Sequence, residues 1–171
     1  MKLQQAVARE KPPWLELLRQ DASLAGLIAW RFGRLPQFQL LSQQMVTRAG
    51  EAVWQRVSCY LLDQVPVTLH LLRSPLRWQP KSLENLRESA TPLGNVIAGE
   101  GWVRRHVRFS LPVKPEYLPS PLVRYLAWEG PVAVRRFCVP VGNVPALWVW
   151  EALPLRLWLG WADGDGPAYA S

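Results

Sequence analysis

Two pairs of long apolar runs, each joined by only two residues, constrain this chain more than any other feature. Residues 53–62 and 65–73 are rich in strand formers and are separated by Asp63-Gln64, and residues 132–141 and 144–153 are separated by Gly142-Asn143. Two residues can reverse an antiparallel ladder but cannot make a parallel crossover, so each pair reads as a hairpin. The run 38–46, which ends before Gly50, adds a strand ahead of the first hairpin. In 103–111, Val103, Arg105, Val107, Phe109 and Leu111 alternate with Arg104, His106, Arg108 and Ser110, which predicts a half-buried strand with Arg105 on its apolar face. The pattern gives six mostly antiparallel strands.

Helical signals flank these runs. Pro12-Pro13 precede Trp14-Leu15-Glu16-Leu17-Leu18, a proline-led helix start. Asp21 or Ser23 then caps a second helix whose Leu24, Leu27, Ile28 and Arg31 make one stripe ending near Gly33. Residues 82–89 read as helical, and Thr91-Pro92-Leu93-Gly94 places a capping Thr ahead of a Pro at the first helical position. Residues 112–121 hold four of the sixteen prolines and read as a surface loop. The sum is an α+β domain with helices packed at one side or end of the sheet. It spans 1–161, with 162–171 as a loose tail.

A length of 171 residues suits one domain, and 20 basic against 13 acidic residues leave a formal charge of +7. The basic residues are spread along the chain, with Arg104-Arg105 and Arg135-Arg136 as doublets, a distribution that fits a small anionic ligand better than nucleic acid. Cys59 and Cys138 are too few for a disulfide framework, and no Cys-x-x-Cys or His-x-x-x-His spacing is present for zinc. The expectation is a reduced, metal-free cytoplasmic protein. The N-terminal residues lack the apolar block of a secretory signal, and Glu151, Pro154 and Arg156 interrupt the most apolar stretch, 144–161, which argues against a membrane span.

No Gly-rich phosphate loop, Gly-x-Ser-x-Gly elbow or close carboxylate pair is present, so charges embedded in apolar strands become the candidates: Arg56, Arg105 and Glu151. Buried charge must find a partner or a ligand. With Asp63-Gln64 as the turn, Arg56 is expected opposite Leu71, with Arg73 diagonally beside it on the same face, two guanidiniums facing one anion. Glu151 shares the strand parity of Leu147, Val149 and Leu153 and emerges from an apolar face, where a carboxyl group can handle a hydroxyl or a proton. The helix start that Thr91 caps leaves its first N-H groups without partners, and that of Leu93 can bind a carboxylate. Plainer readings stand beside these: a structural Arg56 to Glu151 salt bridge, a simple helix cap, and structural roles for His70, His106, Cys59 and Cys138.

The order of these pieces resembles the bacterial chorismate lyase (chorismate pyruvate-lyase) family, as a divergent member. Ser23-Leu24-Ala25 looks like the family's step at the start of its second helix, and Trp54-Gln55-Arg56 with Asp63-Gln64-Val65-Pro66 is similar to its central strand and turn. Thr91-Pro92-Leu93-Gly94, then Arg105, then Trp150-Glu151-Ala152-Leu153-Pro154 follow in the family's order. The resemblance implies a six-stranded sheet, a monomer, a site beneath helical flaps and no cofactor. The implied reaction eliminates pyruvate from chorismate to give 4-hydroxybenzoate for ubiquinone synthesis. Leu24, Arg56, Leu93 and Glu151 carry over as substrate contacts, with Arg56 and Glu151 as catalytic groups. Many members have an Arg where this chain has Leu71, which makes Arg73 a weaker candidate for the missing charge, beside Arg105. The alternative is a non-catalytic module that binds a small aromatic acid, since ligand-sensing domains of some bacterial transcription regulators share this fold. Against it stands the shortness of residues 1–33, too few for a winged DNA-binding domain.

Overall fold

The two-residue connections fold as their length dictates. In a computed structural model of the chain, which describes residues 13–20, 22–78 and 81–160, β2 (Glu51–Leu62) reverses into β3 (Val65–Pro75) through Asp63 and Gln64. Both turn residues hold positive φ, 49° and 66°, the combination that a twisted two-residue hairpin requires. β5 (Val132–Val141) turns into β6 (Val144–Pro154) at Gly142-Asn143, and β1 (Gln37–Arg48) enters β2 through Ala49-Gly50. With β4 (Arg105–Val113) these strands make one antiparallel sheet in the order β1-β2-β3-β6-β5-β4.

Helices α1 (Pro13–Arg19), α2 (Leu24–Phe32), α3 (Lys81–Glu88) and α4 (Leu93–Glu100) all lie against one face of that sheet. Ser23 caps α2 by accepting the Gly26 N-H, and Gly33 closes it in the left-handed conformation at φ 69°. Leu24, Leu27 and Ile28 form the buried stripe, packed with Trp14, Leu18 and the fully buried Trp158 of α6 (Leu155–Leu159). A second cluster joins Leu83 and Leu86 of α3 and Ile97 of α4 to Trp54, Leu72, Phe137 and Val149. Among the described residues the other face is covered only in part, by the segment that follows β4. There Leu118 and Leu122 pack on Val57, Leu69, Leu71 and Val134.

Four local expectations change. The β2–β3 ladder shifts between Tyr60 and Leu61, so Arg56 pairs with Leu72 rather than Leu71, and Arg73 falls on the opposite face beside Gln55. The cause lies at Pro66, which has no N-H for the ladder and leaves Val67 as the extra residue of a bulge. On β4 the alternation breaks at His106, whose φ is 54°; Arg105 pairs with Cys138 and stands exposed, while Arg104 turns toward the helix-covered face. Residues 112–121 are not merely loop: β4 runs to Val113, a 3-10 turn forms at Pro115–Tyr117, and α5 (Ser120–Val123) follows. α4 is capped by Pro92 rather than Thr91, without a side-chain hydrogen bond. Asp21, Trp161 and the expected tail 162–171 lie outside the described residues.

Candidate functional site

On the helix-covered face, two neighbouring rows of side chains cross the sheet. One is polar: Ser58, His70, Glu151 and Arg135 sit side by side on β2, β3, β6 and β5. The next is apolar except at one end, where Arg56 stands beside Leu72, Val149 and Phe137. Between these rows and the helices lies a narrow cavity of about 40 Å³, room for roughly three water molecules. Ser23 and Leu24 from the start of α2, and Leu93, Gly94 and Ile97 from α4, form its roof.

The charges of the polar row are matched inside the protein. Arg135, with no exposed surface, donates from Nε to Glu151 Oε2 at 2.5 Å. Its Nη1 donates to the carbonyl of Ala22 at 3.0 Å and that of Leu18 at 3.4 Å, which ties the end of α1 and the approach to α2 to the sheet. His70 bonds Thr68 Oγ1 at 2.7 Å through Nε2 and Ser58 Oγ at 3.3 Å through Nδ1, with its ring edge-on to Tyr60 at 5.0 Å. Burial pushes the imidazole down to about 4, against the pull of nearby Glu151, so at neutral pH it is uncharged. Burial also raises the Tyr60 hydroxyl to about 12.

Arg56 is different. It is 3% exposed and carries a full charge, yet among the described residues its guanidinium hydrogen-bonds only to main-chain carbonyls. Nη2 donates to Thr91 at 2.8 Å and Nη1 to Leu86 at 3.4 Å, the group lies 5.2 Å from the Phe38 ring, and Nε has no hydrogen-bond partner. Desolvation pulls its pKa down to about 10, still far above neutrality. The carbonyl contacts also fasten α3 and the turn before α4 to the cavity edge.

The structure therefore gathers Leu24, Arg56, Leu93 and Glu151 around one cavity and leaves Arg73 and Arg105 outside it. A salt bridge from Arg56 to Glu151 does not form: Arg135 pairs with that carboxylate, and Arg56 turns to the carbonyls of Leu86 and Thr91. Arg135 and Arg104 were not singled out, and His70 was given a structural role. Arg135 carries the same signal as Arg56, a charge within an apolar strand, and shares the parity of Phe137; Arg104 was assigned to the polar face and instead stacks on Phe137 at 5.3 Å. Among the described residues no group of three or more His, Cys, Asp or Glu is placed to hold a metal, and no helix is long and apolar enough to cross a membrane. Cys59 and Cys138 are both buried and unpaired by disulfide.

No protein-family model matches the chain, and no curated protein matches it. Solved structures do. PhnF from Mycobacterium smegmatis superposes with a TM-score of 0.56 at 17% identity, over 78% of this chain and 64% of that one. This chain thus spans under two thirds of the length of PhnF. The C-terminal domain of the histidine utilization repressor from Pseudomonas syringae pv. tomato superposes at 0.50 with 13% identity, over 79% of this chain and 99% of that domain. The chain has the chorismate lyase-like fold. The ligand-binding domain of a GntR-family transcriptional regulator from Bordetella bronchiseptica is also similar, at 0.48 and 17% identity over 80% and 90% of the two chains.

The expectation of a chorismate lyase is corrected by the likeness to the C-terminal domain of a repressor, a regulator's domain that carries the same fold. The catalytic roles given to Arg56 and Glu151 are what the family resemblance implied. A physical reason accompanies the correction: the carboxylate assigned to the breaking bond is already engaged by a guanidinium on the neighbouring strand.

Proposed function

We propose that this chain is a ligand-sensing module whose cavity takes a small, flat carboxylic acid, with Arg56 as the group that binds the carboxylate. The observation that carries this reading is the buried, permanently charged Arg56 without a carboxylate partner among the described residues, beside a cavity it lines. A buried cation left without a counterion is costly unless something supplies the charge. An incoming carboxylate does so, and bidentate Arg–carboxylate geometry gives it direction. Leu93 N-H, at the first position of α4, adds a donor at the same end.

Aromatic character is supported by the walls. Phe38, Phe137 and Tyr60 face the space, with Leu24 closing it from above and Leu72 and Val149 beneath. Ser58, His70 and Glu151 offer hydrogen bonds at the polar row, suited to a ring hydroxyl. A ring fills more space than the cavity now has, so binding parts the short helices α2 and α4 from the sheet, and ligand occupancy is thereby linked to the position of the roof.

Calorimetric titration of the full chain with 4-hydroxybenzoate, and with 4-hydroxybenzyl alcohol as its uncharged counterpart, tests the reading. The acid is expected to bind and the alcohol to bind at least about tenfold more weakly, the worth of one charge-assisted pair. Arg56→Ala should lose the acid by a similar factor, and Arg56→Lys should recover part of it. Equal binding of acid and alcohol, or an Arg56→Ala protein that folds and binds as well as the parent, would overturn it.

A further inference from the structure

Four of the arginines that look scattered in the sequence, Arg48, Arg73, Arg124 and Arg136, gather on the face of the sheet that the described residues cover only in part. Arg73 on β3 and Arg136 on β5 flank Trp150 on β6, two strands and about 10 Å apart across the sheet. Between them is an open hollow of about 480 Å³, and Arg48, Arg73 and Pro119 are shared with an adjoining one of about 360 Å³ that reaches Arg124. No carboxylate lines either part among the described residues.

Arg73 is set in place before any ligand arrives. Its Nε donates to Gln55 Oε1 at 3.0 Å, and its guanidinium carbon lies 5.4 Å from the Trp150 ring centroid. Among the described residues no ion pair holds Arg48, Arg73, Arg124 or Arg136. The register places Arg136 directly opposite Arg108, a like-charge pair that costs stability unless an anion intervenes. Burial, helped by the charge of Arg48, draws the Arg73 guanidinium down to about 10.

We infer that this hollow is a second binding site, distinct from the Arg56 cavity, for an oligophosphate bearing a planar ring, of which a nucleoside triphosphate is the type. Three guanidiniums around one hollow, with a fourth in the adjoining one, ask for several negative charges close together, a density that a phosphate chain reaches and a simple carboxylate does not. The planar fork of Arg suits phosphate oxygens. Tyr117, 74% exposed at the rim, offers a face on which a ring can stack. The hollow also has the size of small-molecule sites, of which about 300–1,000 Å³ is typical.

Isothermal titration of the full chain with ATP and with inorganic triphosphate, at low and at physiological salt, tests the inference. Both are expected to bind, ATP more tightly because of its ring, and both more weakly as salt rises. The double variant Arg73→Gln/Arg136→Gln should lose ATP by at least about tenfold, and Arg48→Gln, at an exposed position, by a smaller factor. Arg56→Ala should leave ATP binding unchanged, which separates this site from the carboxylate cavity. ATP binding that is absent at about 1 mM, or that survives in a folded double variant, overturns the inference. So does a single-stranded oligonucleotide that binds through the same arginines more tightly than ATP, which would assign the face to nucleic acid.

Discussion

The two faces of the sheet carry the same residue type in opposite circumstances. Under the helices, Arg135 and Arg56 are desolvated and each contact is fixed: one has a carboxylate and two carbonyls, the other carbonyls alone. On the open face, Arg136 stands in water and Arg73 is only half-buried, and both are set among further cations rather than carboxylates. Burial decides what a charge is worth. In the interior one guanidinium without a counterion defines a site, whereas in the open hollow several must converge before a ligand is favoured over water.

The largest effect should come from breaking the interior pair. Arg135→Met leaves Glu151 buried without its cation and frees the carbonyls of Leu18 and Ala22, and is expected to cost about 3–5 kcal/mol in urea unfolding at neutral pH. Arg135→Met combined with Glu151→Leu should recover most of that loss, because no isolated charge remains. An Arg135→Met variant as stable as Arg73→Met would dissolve the contrast between the faces.

Acid sharpens the comparison next. Folded His70 takes its proton only near pH 4, while an unfolded histidine does so near pH 6.5. Between those values the unfolded state binds the extra proton, so stability falls as pH drops through that window, by up to about 3 kcal/mol at its lower end. Urea midpoints measured from pH 7 to 4 should show this slope, and His70→Gln should flatten it. A slope that persists unchanged in His70→Gln would place the acid-sensitive group elsewhere.

The smallest effect is expected on the open face. Arg136→Gln removes one member of the exposed Arg136 and Arg108 pair, and thermal unfolding should move by less than about 0.5 kcal/mol, toward greater stability at low salt if at all. A loss of several kcal/mol there would show that the residue is structurally committed.

Much of the fold was legible because its signals are local. The turns at Asp63-Gln64 and Gly142-Asn143, the Ser23 cap and the Gly33 stop each depend on a few adjacent residues, and all appear where the chain places them. Arg56 and Glu151 stood out as charges in apolar strands, Leu93 as a helix start and Leu24 through the family resemblance, and all four line the cavity. Arg73 and Arg105 were misplaced for one reason: a strand's side chains alternate, so a single bulge reverses every later assignment. The bulge at Val67 and the positive φ of His106 each did this once.

The sequence by itself determined the six strands and the four helices α1 to α4, the antiparallel pairing within hairpins and which strands carry a misfit charge, because these follow from neighbours along the chain. Tertiary structure alone decided which charges are answered. Arg135 meets Glu151 only because β5 and β6 align them, Arg56 lies on main-chain carbonyls with no carboxylate paired to it among the described residues, and Arg48, Arg73, Arg124 and Arg136 come together only from segments far apart in sequence. Electrostatic free energy depends on distance and burial in space, and neither is written in the order of residues.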